Sequence, residues 1–343
     1  MSQVVDHLAE LTGYRDRDVL DVTLVSALRD LLRPREVAIY RRFGEGDDAR
    51  WMTRARLGPD DRVPAADGLW ADPATLPALH AHPERLACLQ QQAPLALPGP
   101  PALALFPLGN ERESTGVLEV LTPAPLDPEQ ARLVGSILRV YRNFQGLLDY
   151  SERDTLTGLL NRKTFEDSFL RVAAAPPVPG ADRAADARRR AADAAACWLG
   201  VIDIDHFKRV NDGHGHLIGD EVLLLLSRLM RSSFRHQDHL YRFGGEEFVV
   251  LMRGAPADAV GSAFERLRTN VEGYAFPRVG RITVSIGYTG VRPDDTPTSA
   301  FERADRAVYH AKQNGRNRVA SHAVLVAAGA LTDATRRGDV ELF

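Results

Sequence analysis

Gly244-Gly245-Glu246-Glu247-Phe248 sets two carboxylates at a tight turn between the strand-like runs 240–243 and 248–252. Paired glycines reach the positive φ angles that short hairpins need, so Glu246 and Glu247 are expected at the tip of a rigid ribbon. About forty residues upstream, Asp203 ends the apolar run Trp198-Leu199-Gly200-Val201-Ile202, which reads as a buried strand. A carboxylate at a strand end beside carboxylates at a hairpin tip can hold a hard cation. Magnesium takes oxygen ligands and is usually bound by one or two carboxylates plus substrate phosphates. Two readings stand at this point: a magnesium–phosphate site, or a solvated acidic rim. No Walker-type phosphate loop occurs, so a nucleotide site here must be built differently.

The bulk of the chain bounds the rest. Its 343 residues suggest two domains, and 44% hydrophobic with 26% charged residues is ordinary for a globular protein. A net charge of −3 gives no reason to expect nucleic-acid binding. Two well-separated cysteines, Cys88 and Cys197, exclude a disulfide framework and suit a reducing cytoplasm. The first residues lack a basic-then-apolar leader pattern, and no apolar run reaches spanning length, so neither export nor membrane insertion is expected.

Elements that could position the acidic residues follow from pattern. A helix is expected over 17–32, strands at 36–43 and 50–57, and paired strands at 102–108 and 116–121. The proline- and alanine-rich 58–101 reads as loops with short helices. His80, His82 and Cys88 in that stretch are taken as scattered surface residues rather than a metal or haem site. Asp127-Pro128-Glu129-Gln130 is a helix start: Asp127 caps, Pro128 suits the first turn, and Gln130 sits at the capping-box position. Beyond it Ile137, Tyr141, Phe144 and Leu148 form a stripe that suits a coiled-coil seam or packing onto its own domain. Arg188-Arg189-Arg190 lie among acidic residues and read as a solvated helix or loop rather than a phosphate patch. The stripe of Val222, Leu223, Leu226, Leu229 and Met230 is core packing.

A series of motifs in order resembles the GGDEF-domain diguanylate cyclases, in the GGEEF variant. Asp154-Thr155-Leu156-Thr157-Gly158-Leu159-Leu160-Asn161-Arg162 is similar to the opening signature of that domain, and Asp203 to Asp212 to its metal and nucleotide segment. Gly215-His216, Gly219-Asp220, the Arg242–Phe248 hairpin, Ser285-Ile286-Gly287, and Ala304 to Lys312 followed by Gly315-Arg316-Asn317 continue the match. Together they cover roughly residues 150–322, about half the chain. The helix–strands–loop–strands–helix order before them resembles a GAF sensory domain, without a sharp motif.

The resemblance implies an α+β fold. A palm-like cyclase domain with a mainly antiparallel central sheet (154–322) would follow an α/β GAF-like domain (1–126) and a connecting, coiled-coil-like helix (127–153). Residues 323–343 are read as a tail, too short for the phosphodiesterase domain often fused to such cyclases. The implied reaction joins two GTP into cyclic di-GMP and two pyrophosphates. By the same resemblance, Asp203, Glu246 and the Ile204 carbonyl hold magnesium, or manganese in its place. Glu246 is also the family's proton acceptor, with Glu247 as the substitute because a metal-bound carboxylate is a poor base.

Lys208, Lys312 and Arg316 would bind phosphates. Asn211 and Asp220 would read guanine, and His216 would lie near the nucleotide. Arg235-His236-Gln237-Asp238, with Arg266, resembles the family's inhibitory product site; as a bare pattern it is an ordinary surface ion pair. One site holds one GTP, so catalysis would require a homodimer. The first domain would bind a ligand or partner that the sequence does not name. The rival reading is a non-catalytic cyclic di-GMP receptor. Such receptors usually show a damaged hairpin or metal aspartate, whereas Asp203, Lys208, Asn211, Glu246 and Glu247 are all present here.

Overall fold

The computed structural model describes residues 6, 9, 11–12, 17–44, 46–68, 71–109, 114–174 and 196–333. Arg188-Arg189-Arg190 lie outside the described residues. The chain divides into two compact units, Met1–Ser151 and Glu152–Phe343.

In the first unit, apolar alternation closes five strands into an antiparallel sheet of order β2-β1-β5-β4-β3. They are β1 (Glu36–Phe43), β2 (Arg50–Leu57), β3 (Leu95–Leu97), β4 (Ala102–Gly109) and β5 (Ser114–Thr122). Helices α1 (Arg17–Leu32) and α3 (Pro128–Glu152) share a core with one face of this sheet, through Leu24, Leu28, Val37, Ile39, Leu118 and Val120 among others. Helix α2 (Pro83–Gln91) covers the other face. Helix α3 starts as its sequence dictates. Asp127 Oδ1 accepts from the Glu129 and Gln130 N–H groups, both at 2.8 Å, and Gln130 Oε1 accepts from Asp127 N–H at 3.0 Å.

Ile137, Tyr141 and Leu148 are buried in the core of this unit, with Phe144 packed against it, which is the intradomain alternative for the stripe. One expectation is corrected here. Cys88 is not a surface residue. It is fully buried beside Trp51 and Leu89, and burial pushes its thiol up to about 11. His80 is exposed, and His82 Nδ1 lies 3.4 Å from a Glu84 carboxylate.

A charged network crosses this core. Asp21, 1% exposed, accepts from Arg41 at 3.3 and 3.1 Å and from the Tyr141 hydroxyl, which in turn accepts from Arg41 at 2.7 Å and Gln145 at 2.9 Å. The network ties α1, β1 and α3 together at one level. Arg17–Asp149, at 2.6 Å, joins α1 to α3 at a second.

The second unit is built on a six-stranded sheet of order β13-β12-β7-β9-β8-β6. Its four central strands, β7 (Cys197–Ile204), β8 (His239–Gly244), β9 (Glu247–Arg253) and β12 (Val284–Gly290), pair antiparallel. The edges β6 (Leu160–Asn161) and β13 (Val319–Ser321) are parallel additions. A two-stranded ribbon, β10 (Ala275–Phe276) with β11 (Gly280–Arg281), stands apart from this sheet.

Helices α4 (Arg162–Ala174), α5 (Phe207–His214), α6 (His216–Ser233), α7 (Ala257–Gly273) and α8 (Pro297–Gln313) flank the sheet. The α6 stripe of Val222, Leu223, Leu226 and Met230 is core, with Leu229 packed against it. Helix α8 lies close on β12 because residue 287 is glycine: a Cβ there would come within 2.2 Å of the Ala304 carbonyl oxygen. Folded structure continues past residue 322 into α9 (His322–Ala327), and Arg292 reaches Asp333 at 2.7 Å. The stretch read as a tail from residue 323 is therefore partly part of this unit.

Candidate active site

Strand pairing sets the acidic residues side by side. In the β7–β9 register Asp203 stands directly opposite Glu247, and in β7–β12 it stands opposite Ser285. Directly opposed residues share a face with Cβ atoms about 4.5–5.5 Å apart. Glu246 lies at the adjoining hairpin tip, where Gly244 and Gly245 take φ of 149° and 51°. The tip is clamped from below. The Arg242 guanidinium donates to the Gly245 carbonyl at 3.0 and 3.2 Å and to both Asp154 oxygens at 3.0 and 3.2 Å. Asp154 also accepts from the N–H and hydroxyl of Thr157, and these bonds with Arg242 outweigh burial to hold its carboxyl below the usual range. The opening Asp-x-x-Thr turn therefore supports the hairpin. Phe243 adds a stacked contact with Phe301 of α8, centroids 5.1 Å apart.

Asp203 is 7% exposed. One oxygen meets Lys312 Nζ at 2.7 Å; the other, Oδ1, is buried without a hydrogen-bond partner. Burial raises its proton affinity, Lys312 opposes the rise, and Asp205 and Asp305 add to it. Glu246 and Glu247 are raised by burial and then by the charge of Asp203. Asp305, a helical neighbour of Lys312 on α8, is raised by burial. Asp203 is buried, Glu246 half-buried and Glu247 and Asp305 exposed, and Lys312 partly answers the charge of this acidic group.

Asp205, two residues on, has a different environment. Its oxygens accept from Ser285 Oγ at 2.7 Å, Thr283 Oγ1 at 2.7 Å and the Asn317 N–H at 3.0 Å. It has no room for a ligand and acts as a tie.

Helix α5 begins at Phe207, so its orphan N–H groups and positive end follow Asp203 by one short step, a setting that favours anions. Lys208 projects from its first turn and is exposed. Asn211 sits at its far end, against α6. A Cβ at Gly219 would fall 2.0 Å from Asn211 Oδ1, so glycine is what lets that amide pack beside the helix carrying Asp220. Asp220 and His216 are exposed on α6. Arg316 follows Gly315 in a turn after α8 and has a φ of 61°.

The Arg235–Asp238 segment forms a separate, tight turn. Asp238 N–H donates to the Arg235 carbonyl at 3.0 Å, and Asp238 Oδ2 accepts from Arg235 N–H at 2.9 Å. Burial pushes the Asp238 carboxyl up to about 6, against the pull of that N–H and of the Arg235 and Arg266 charges. Arg266 donates to the Ser233 carbonyl from its Nε at 3.0 Å, within the same chain.

Pattern reading missed the Asp154–Arg242 clamp, the Asp205 tie and Asp305. Each sits inside a motif that was noted; Asp154 and Asp205 meet partners 88 and 112 residues away. Among the described residues no three His, Cys, Asp or Glu side chains converge closely enough to hold a metal unaided. Asp203 and Glu246 still fit magnesium, which usually takes one or two carboxylates and completes its shell with phosphate and water. The partnerless Asp203 Oδ1 is the atom such an ion would satisfy.

Residues 181–318, which lie within the second unit, match the family described as "Diguanylate cyclase, GGDEF domain". The chain is 39% identical over 169 residues to diguanylate cyclase DgcP of Pseudomonas aeruginosa, which is 48% of this chain and 23% of that protein. It is 38% identical over 169 residues to diguanylate cyclase DgcM of Escherichia coli, 49% of this chain and 38% of that protein. The chain thus spans well under half the length of these relatives. Among solved structures, the GGDEF domain of DgcB from Caulobacter crescentus in complex with c-di-GMP is 32% identical, covering 50% of this chain and 93% of that one, with a TM-score of 0.43. No helix among the described residues is long and apolar enough to cross a membrane.

Proposed function

We propose that the chain is a diguanylate cyclase that converts two GTP into cyclic di-GMP and two pyrophosphates. The observation that carries this reading is the half-satisfied, buried Asp203 beside Glu246, Glu247 and Lys312, within a GGDEF domain. In each half-reaction a ribose 3′-oxygen bonds to the α-phosphorus of the other nucleotide. The α–β bridging bond breaks, pyrophosphate leaves and the hydroxyl proton passes to a base. Magnesium held by Asp203, Glu246 and the Ile204 carbonyl would stabilise the charge that builds on the transferring and leaving oxygens; manganese has the same ligand chemistry.

The chain's own groups do the rest. Glu247 is the proton acceptor when Glu246 is committed to the metal, and its raised proton affinity suits that task. Lys312 would exchange its Asp203 contact for phosphate oxygen, while Lys208 and Arg316 add positive charge along the triphosphate. Asp220 accepts from the N1 and N2 donors of guanine, and Asn211 offers both donor and acceptor. His216 stands at the nucleotide end of α6.

One site holds one GTP, so two chains must meet as a homodimer. Cyclic di-GMP bound at Arg235, Asp238 and Arg266 would act as feedback inhibitor away from the catalytic residues. The first unit, with its antiparallel sheet between helices, acts as a GAF-like regulator of the second. Incubating the purified chain with GTP and magnesium, and separately with ATP, tests the reading. Cyclic di-GMP and pyrophosphate should form from GTP alone. A chain that binds cyclic di-GMP but turns over no GTP is a receptor instead.

A further inference from the structure

The turn after α8 is held in an unfavourable shape. Gly315, Arg316 and Asn317 have φ of 106°, 61° and 44° in succession. Two adjacent non-glycine residues in the left-handed region carry backbone strain, which persists only where the surroundings over-determine it. They do so here. The Arg316 N–H donates to the Ala311 carbonyl at 3.0 Å, and the Asn317 N–H donates to buried Asp205 at 3.0 Å. The Asn317 side chain is gripped at both ends, donating to Glu272 Oε1 at 2.7 Å and accepting from Arg268 at 2.9 Å.

Asp205 is itself locked to β12 by Ser285 and to the preceding residue Thr283. It lies two residues past Asp203 on the same stretch of chain. The Arg316 guanidinium bonds to no described residue, whereas the chain around it is fixed on every side.

We infer that Asp205 and Asn317 form a strap that fixes Arg316 relative to Asp203, so that the guanidinium meets the outer phosphates of a nucleoside triphosphate whose inner phosphate lies at the acidic group. Both are positioning residues: neither touches substrate, and each acts through the turn it ties down. The strain is retained because the relaxed turn would aim Arg316 elsewhere. The inference rests on the cyclase reading given above and deepens it, by assigning the residues that set triphosphate recognition.

The strap is tested by isothermal titration with two probes and magnesium: α,β-methylene GTP, which cannot be turned over, and GMP, which lacks the outer phosphates. Wild type should prefer the triphosphate, and Arg316→Ala should lose most of that preference. Asp205→Asn and Asn317→Gly should each weaken triphosphate binding about tenfold or more while leaving GMP binding within about twofold. Asn317→Gly separates positioning from folding. Glycine relieves the left-handed strain and keeps the backbone N–H that meets Asp205, which offsets part of the lost Glu272 and Arg268 bonds, so its melting temperature should fall only slightly while its triphosphate affinity falls.

If Arg316→Ala loses the preference but Asp205→Asn and Asn317→Gly keep it, the strap is wrong. If both variants lose GMP and triphosphate equally, their role is structural and the strap is again wrong. If wild type shows no preference for the triphosphate, the cyclase reading fails and takes the strap with it.

Discussion

Two buried aspartates, one in each unit, resolve their charge in opposite ways. Asp21 spends both oxygens: Arg41 and the Tyr141 hydroxyl close around it, and Gln145 satisfies the tyrosine. Asp203 spends one oxygen on Lys312 and leaves the other buried without a partner. A closed buried network fixes the register of the elements that carry it. An open one is a cost to the fold, and it persists where something is meant to bind. The first unit uses its charge to hold a helix; the second leaves an oxygen open, as the proposed ligand site requires.

The largest effect expected from this contrast is on stability of the first unit. Asp21→Ala strips the buried anion and leaves the half-buried Arg41 without it, and breaking a buried pair costs up to about 3–5 kcal/mol. Denaturant unfolding followed by circular dichroism should show that loss. A change below about 1 kcal/mol would mean that the network contributes little to stability. Tyr141→Glu should likewise unfold this unit, because Tyr141 is fully buried.

A smaller effect is expected at the base-reading end of the second unit. Asp220→Ala should narrow the gap between GTP and ATP by about 1.5–3 kcal/mol, the worth of a charge-assisted hydrogen bond. Steady-state kinetics with both nucleotides measure it. An unchanged ratio moves base selection to Asn211.

The smallest effect concerns pH. The Asp238 carboxyl is pushed up to about 6 in the folded chain, above its ordinary value of 3.8. The folded state therefore favours the protonated form. Its contribution to stability is present below the ordinary value and is lost as pH rises through about 6. In the proposed product site Asp238 would accept as a carboxylate, so cyclic di-GMP should bind several-fold more weakly at pH 5 than at pH 7.5 in calorimetry. Equal affinity at the two values would remove Asp238 from the product site.

How much of this was legible in the sequence depends on the range of each signal. The Asp127 cap and the Gly244-Gly245 hairpin are local, written within a few residues, and their geometry follows from side-chain reach and φ freedom alone. The strand carrying Asp203 was visible because a buried central strand is apolar along its whole length. The stripe at Ile137, Tyr141, Phe144 and Leu148 was legible as a buried face. What buries it was not, because a seam and a core surface have the same spacing.

Asp205 was unreadable as a tie for a different reason. Its partner Asn317 is 112 residues away, and a carboxylate that accepts three bonds looks in sequence like one that binds metal. Cys88 was misjudged because a proline- and alanine-rich stretch reads as loop, although α2 folds out of it and buries the thiol.

The central claim is that the open oxygen of Asp203 serves catalysis and not the fold. Asp203→Asn tests it most directly, by cyclic di-GMP formation from GTP and magnesium and by thermal unfolding of the same sample. Burial and the neighbouring acids make the Asp203 charge unfavourable in the folded state. Removing it should leave the melting temperature equal or higher while synthesis falls by about two to three orders of magnitude, as for loss of a central electrostatic group. Synthesis at the wild-type rate, or a lost rate explained by an unfolded variant, would contradict the account.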